Sequence, residues 1–237
     1  MIKLYQFPKN KKTHNFSPFC LKVETYLKLA GINFEIVPTM NPAGAPKKKF
    51  PYIEDQGKKI PDSSFIIDYL KNQYGDALDK SLSAEQKAQG RAIQHLLEYS
   101  LNYVMMYSRW FDDAGWKIYE GLFFAGLPFP MDKVIPGQAR KGVRKFLTAQ
   151  GTARHSRDEV YSIGKKDIDA LSELLGKKPF FLGDSVSSVD CSAFGVLNNI
   201  IHSPASELPL QQYARTKSNL TEYVERMNAK YAEAVSL

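Results

Sequence analysis

Ser17-Pro18-Phe19-Cys20-Leu21-Lys22-Val23-Glu24-Thr25-Tyr26-Leu27 is the stretch on which the fold turns. Ser17 is a favourable N-cap, and Pro18 fits the first helical position, where no amide hydrogen is missed. Leu21, Val23, Tyr26, Leu27 and Leu29 carry the helix to Gly31, a natural stop. Upstream, Ile2 to Pro8 alternates apolar and polar residues like a short strand, and Lys9 to Asn15 is a polar, basic loop. Downstream, Phe34-Glu35-Ile36-Val37 reads as a second strand, which completes a right-handed βαβ unit. A Pro/Gly-rich irregular segment (Pro42, Gly44, Pro46) leads to Phe50-Pro51-Tyr52-Ile53-Glu54. A turn over Asp55 to Gly57 and a strand ending at Ile60 complete a hairpin. Asp62 or Ser63 caps a further helix that stops at Gly75.

Beyond Ser83 the pattern is helical. Ser83–Gln86, Ser156–Glu159 and Ser187–Asp190 have capping-box spacing. Ile93, Leu96, Leu97, Leu101 and Val104 follow the first, and Val160, Ile163, Ile168, Leu171 and Leu174 the second. The third opens an apolar helix through Ala193, Phe194, Val196, Leu197, Ile200 and Ile201. Gly121 to Gln138 reads as loop-rich, and a last helix runs from Leu220 to about Val235. The chain thus divides into an α/β domain over 1–77 and an all-helical domain over 83–237, with 76–82 as linker.

The 237 residues, 43% hydrophobic and 24% charged, suit a folded globular chain of one or two domains. The net charge of +7 is spread along the chain and not interleaved with aromatics, so nucleic acid is not an expected partner. No apolar run reaches the ~20 residues of a bilayer span. The opening MIKLYQFPKNKK has no basic-then-apolar leader, so the mature chain is expected to begin where the sequence does, in the cytoplasm. Two cysteines, Cys20 and Cys191, make neither a disulfide framework nor a zinc site, and no spacing suggests any metal.

A βαβ–ββα order with Ser-Pro-Phe-Cys at its first helix resembles the thioredoxin fold, with Ser17 where a Cys-x-x-Cys motif has its first cysteine. Pro51 stands just before the third strand, where that fold has a cis proline. With a helical second domain, the chain resembles the glutathione S-transferases: a thioredoxin-like α/β domain plus an all-α domain. Asn41-Pro42, Lys48-Lys49-Phe50-Pro51, Gly57-Lys58, Asp62-Ser63, Ile67 and Tyr69 resemble the plant tau class, which also carries Ser-Pro-Phe. The run from Ser17 to Leu27, with Arg109-Trp110, Arg154-His155-Ser156, Gly183-Asp184 and Val189-Asp190, is similar to the Fax/metaxin-like branch.

The resemblance implies a glutathione co-substrate, no metal, a small electrophile and a homodimer. A free thiol is only about 3% ionised at pH 7, and lowering its pKa by ~2 units takes ~2.7 kcal/mol. A helix N-terminus favours an anion, and Ser17 adds a hydroxyl donor, so Ser17 is the candidate catalytic residue. By the same resemblance, Phe19 belongs to the glutathione site, and Phe50, held by Pro51, pairs through its backbone with the cysteinyl portion. Asp62, where the family usually has glutamate, meets the γ-glutamyl ammonium, and Ser63 its carboxylate. Lys49, or its neighbours Lys47 and Lys48, meets the glycyl carboxylate. The 13 lysines against 8 acidic residues in the first 80 suit an anionic peptide.

Other residues read differently. Cys20, with no cysteine at position 17, reads as an inert buried thiol. Tyr99, Tyr103 and Tyr107 recur every four residues on one helix face, either as core or, for Tyr103 and Tyr107, as the wall of an electrophile pocket. Arg109-Trp110 either orients that helix or serves the site. His155 reads as an exposed residue preceding a cap, and Asp190 as structural. The reading that competes with an enzyme is a binding or interaction module of the same fold with little turnover.

Overall fold

Alternation of buried Ile2, Leu4 and Gln6 with outward Lys3 and Tyr5 makes β1 (Ile2–Gln6) the two-faced central strand. The computed structural model describes residues 1–234; Val235, at the end of the expected last helix, lies outside the described residues. α1 (Pro18–Leu29) leads to β2 (Phe34–Pro38), parallel to β1, and after a 3₁₀ turn at Pro42–Gly44 come β3 (Tyr52–Asp55) and β4 (Lys58–Pro61), both antiparallel to their neighbours. The four-stranded sheet has the order β2-β1-β3-β4. Asp55 pairs with Lys58, which leaves Gln56 (φ 50°) and Gly57 (φ 77°) as the two-residue turn, and positive φ at both positions gives it the twist a tight hairpin needs. α2 (Ser63–Tyr74) ends at Gly75 as expected. Ile2, Leu4, Val23, Tyr26, Leu27, Ile53, Ile66 and Leu70 form the buried layer between sheet and helices.

Among the described residues every later element is helical. α3 (Ala84–His95) continues through a π-helical turn (Leu96–Leu101), α4 (Asn102–Met106) and a second π turn (Tyr107–Phe111). Then come α5 (Asp113–Phe123), α6 (Met131–Gln150), α7 (Arg157–Leu175), α8 (Ser188–Ile201), α9 (Pro209–Arg215) and α10 (Ser218–Glu233). The three capping boxes form. α8 is buried from Val189 onward and crosses the first turn of α1 so closely that a Cβ on Gly195 would stand 2.4 Å from the Pro18 carbonyl oxygen.

Two expectations need correction, and one helix has no sequence signal. Most of Gly121 to Gln138 is helix, and only 124–130 connects α5 to α6. α6 buries little beyond Pro136 and Leu147, and its internal proline reads as a breaker. The seven-residue α9 gives no sequence signal because it is barely two turns long. Tyr99, Tyr103 and Tyr107 do not share a face, because a π turn needs an extra residue to close and shifts the phase of the residues after it. Tyr99 is 57% exposed, Tyr103 is half-buried and Tyr107 is buried.

Candidate functional site

The first turn of α1 is held from behind. Asn15 Oδ1 accepts from the Ser17 amide (2.9 Å), while Asn15 Nδ2 donates to the Phe7 carbonyl (2.8 Å) and its own carbonyl accepts from Asn199 Nδ2 (3.0 Å). Arg109, buried, donates to the Phe16 carbonyl at 2.8 Å and to both oxygens of Asn199 at 2.9 Å. Arg109 therefore braces the residue before Ser17. Ser17 itself is half-exposed, with extended backbone, and its Oγ accepts from the Cys20 amide at 3.3 Å. No carboxylate or carbonyl oxygen among the described residues takes its hydrogen. The Cys20 thiol beneath it is pushed up to about 12, chiefly by burial, with the Ser17 hydroxyl pulling the other way. It stays protonated and inert at neutral pH, so any thiolate at this turn comes from a ligand.

Cys20 packs with Ala45, Phe50 and Tyr52, which joins the first turn of α1 to the start of β3. The Phe50–Pro51 peptide is cis. The β1–β3 ladder ends at the pair Tyr5–Tyr52, so the peptide groups of Phe50 lie beyond it, beside that turn. Phe19 is half-buried on the same turn.

Asp62 caps α2 with φ +75°, a region costly for any residue but glycine, and its Oδ1 accepts from the Ser64 amide at 3.0 Å. Ser63 is 5% exposed, and its Oγ accepts from Lys22 Nζ at 3.3 Å. Lys22 also donates to Ser64 Oγ (3.2 Å) and Glu98 Oε1 (2.7 Å), and Gln94 Nε2 donates to Ser64 Oγ (2.9 Å). Sequence reasoning missed Lys22, Ser64 and Glu98. The signal available was a lysine between Leu21 and Val23 on a helix whose neighbouring positions are all buried.

The three lysines of the Pro-rich loop diverge. Lys47 Nζ lies 4.7 Å from the Phe65 ring centre, and Lys48 donates to the Ala43 carbonyl. Lys49 reaches toward the helices, 5.8 Å from the ring centre of Phe146, which packs edge-on against Tyr103 at 5.8 Å. Lys49, Phe146 and Tyr103 thus form one wall between the cis-proline loop and α6. Tyr107 leaves the candidate wall: it stacks on Phe111 (4.8 Å) and meets Tyr161 edge-on (6.1 Å), and burial raises its pKa. His155 is exposed, and buried Asp190 takes the Phe181 and Ser187 amides. Two surface clefts lie elsewhere, one of about 740 Å³ beside Lys11, His202 and Arg215, the other of about 650 Å³ beside Arg140 and Arg144. Neither touches Ser17, Pro51 or Ser63. The candidate residues cluster at the N-terminal ends of α1 and α2 and at the cis-proline loop.

Residues 18–115 match the family model for the glutathione S-transferase N-terminal domain, and 164–227 that for the C-terminal domain. The chain is 38% identical to the isoprene-epoxide–glutathione S-transferase of Rhodococcus sp. (strain AD45), over 98% of this chain and 99% of that one. It is 36% identical to Failed axon connections of Drosophila melanogaster, over 97% of this chain and 58% of that one. Identity to human Metaxin-2 is 24%, over 90% and 81%. Among solved structures, the beta-etherase LigF of Sphingobium sp. strain SYK-6 superposes with a TM-score of 0.68 at 19% identity, over 99% and 98% of the two chains. A glutathione S-transferase of Ceriporiopsis subvermispora in complex with glutathione gives 0.66 at 18%, over 98% and 97%. These structures share the fold.

Proposed function

The chain belongs to the glutathione S-transferase family, and from that premise we propose that it ionises the thiol of glutathione beside Ser17 and directs the sulfur onto a small electrophile held against Tyr103 and Phe146. The observation that carries this is the Ser17 hydroxyl: half-buried at the N-terminus of α1, its oxygen accepting from the Cys20 amide and its hydrogen taken by no carboxylate or carbonyl oxygen among the described residues. Glutathione lies from α1 to α2. Its cysteinyl portion pairs with the backbone of Phe50 and packs beside Phe19. Its γ-glutamyl carboxylate meets Ser63, its ammonium meets the exposed Asp62, and its glycyl carboxylate meets Lys49. Binding both reactants turns a bimolecular attack into an effectively unimolecular one.

The Rhodococcus relative's name pairs isoprene epoxide with glutathione, so a small epoxide is the first electrophile to try. The glutathione thiolate forms a C–S bond, the strained C–O bond breaks, and the alkoxide takes a proton from water. No metal takes part. Turnover is the work of a two-fold homodimer in the cytoplasm and needs no membrane or nucleic-acid partner. Exposed Phe65 (59%) and Tyr99 (57%) supply apolar surface for the dimer, and no described helix is long and apolar enough to cross a membrane.

A second reading, a binding module with little turnover, is favoured by the Failed axon connections and metaxin relatives. A glutathione-affinity column followed by turnover with a small epoxide and a generic aromatic electrophile separates the two. Retention with turnover is expected. Retention without turnover supports the module, and no retention overturns both.

A further inference from the structure

Leu122-Phe123-Phe124-Ala125-Gly126-Leu127-Pro128-Phe129-Pro130-Met131, which joins α5 to α6, has no polar side chain. Its inner residues seat it on the protein: Phe123 stacks on Trp110 (4.9 Å) and meets Phe16 edge-on (5.4 Å). Its outer residues face water. Phe129 is 81% exposed, and Ile118, Leu122, Met131 and Val134 around it are each at least 40% exposed. Five of the twelve exposed large apolar side chains among the described residues therefore lie between positions 118 and 134. Apolar residues scattered singly need no partner, but a clustered patch marks a binding surface.

α6 continues from this tip and holds the excess charge of the chain. Contrary to the even spread expected, residues 133–157 contain seven of the 32 basic residues and none of the 25 acidic ones, so the rest of the chain is neutral. Arg140 and Arg157 pair with Asp113 and Asp112, but Lys141, Arg144 and Lys145 have no ion-pair partner among the described residues. Lys141 and Lys145 stand four residues apart, as do Arg140 and Arg144, and like charges at that spacing destabilise a helix. The stability of α6 therefore does not account for them. All four line the open cleft of about 650 Å³. Val134, Lys141 and Lys145, at i, i+7 and i+11, share one side of the helix, so the apolar tip runs directly into the basic face.

We propose that the α5–α6 tip and the outward face of α6 dock reversibly on an anionic lipid surface, with Phe129 and Met131 among the acyl chains and Lys141, Arg144 and Lys145 at the headgroups. An apolar end beside a basic face is what a negatively charged bilayer attracts, through burial and charge together. A second copy of the chain would bring the same positive face to it, and a nucleic acid would leave Phe129 uncovered. Pro128 and Pro130 have no amide hydrogen to withdraw from water, so insertion strands few donors. The docking is peripheral, and turnover does not depend on it.

The test is co-sedimentation of the full chain with sucrose-loaded vesicles of phosphatidylcholine alone or of phosphatidylcholine mixed with phosphatidylserine. The mixed vesicles should bind it about tenfold more tightly or better. Phe129→Ser and, separately, Lys141→Gln with Lys145→Gln should each weaken that binding about tenfold. Neither variant alters a residue placed at the thiol or glutathione site, so conjugation of a generic aromatic electrophile should stay at the wild-type rate, which also shows that each variant is folded. No binding to the mixed vesicles overturns the proposal. Binding that falls with the lysines but not with Phe129→Ser overturns it too, because the face is then a site for soluble polyanions such as a nucleic-acid duplex. A dimer that Phe129→Ser converts to monomer in light scattering is the third contrary result, since the patch then lies between two copies of the chain.

Discussion

Ser17 and Cys20 share one helical turn and show how position sets chemistry. The serine oxygen caps the helix and faces outward, whereas the cysteine, three residues on, faces the sheet and is fully buried. Burial pushes Cys20 up to about 12, and Cys191 is raised by the same cause. Both thiols should therefore be silent toward an aromatic disulfide reagent at pH 8 in the native protein and react promptly in denaturant; fast native labelling would contradict the packing. Folding raises the Cys20 pKa above its unfolded value, so its contribution to stability is intact below about pH 8.5 and is lost as pH rises toward the folded value. The loss is about 2 kcal/mol at pH 10. Urea melts of Cys20→Ala should show a correspondingly weaker fall in stability between neutral pH and pH 10; an identical fall would contradict it. At this scale Ser17, Pro18, Asp62 and Ser63 are legible in the sequence because caps and prolines act through local backbone geometry. Lys22, Glu98 and Arg109 are not, because their partners lie on elements distant in sequence.

The long run from α3 to Phe111 has the periodicity of one regular helix, and its two π turns are where the structure departs from that pattern. The same turns carry two of the residues that reach α1. The first holds Glu98 against Lys22, and the second holds Arg109 against the Phe16 carbonyl. One long element thus meets Lys22 in the middle of α1 and the Phe16 carbonyl just before it. Arg109→Leu leaves the Phe16 carbonyl and both Asn199 oxygens without that donor in a buried setting. It should cost about 3 kcal/mol in chemical denaturation. A change below about 1 kcal/mol would mean that other groups hold the Ser17 turn. Periodicity cannot reveal a π turn, since it is a one-residue insertion that packing selects. The capping boxes at Ser83, Ser156 and Ser187 are legible for the converse reason: each is complete within four consecutive residues.

Across the whole molecule, α1 is the shared element. Its apolar face lies on the sheet, α8 crosses its first turn at Gly195, and its buried Glu24 accepts from Gln6, Lys9 and Tyr231, which brings α10 onto it. The order of the strands with α1 and α2 is readable from the sequence, but α6, α9 and these long-range closures are not. Assembly is tested separately. Light scattering at micromolar concentration should give about twice 26.8 kDa, and Phe65→Glu should shift the population toward monomer; a wild-type monomer would contradict the dimer but not the chemistry.

Whether position 17 faces the sulfur of glutathione is the central question, and Ser17→Cys in a Cys20→Ala background asks it directly. At the N-terminus of α1 the new thiol should ionise readily and attack oxidised glutathione, forming a mixed disulfide and releasing one glutathione. Mass spectrometry after brief incubation at neutral pH should show the added mass of ~305 Da, with loss of conjugating activity. A folded variant that still binds glutathione but takes up no adduct would contradict the proposed role of Ser17, because a different residue would then stand beside the sulfur.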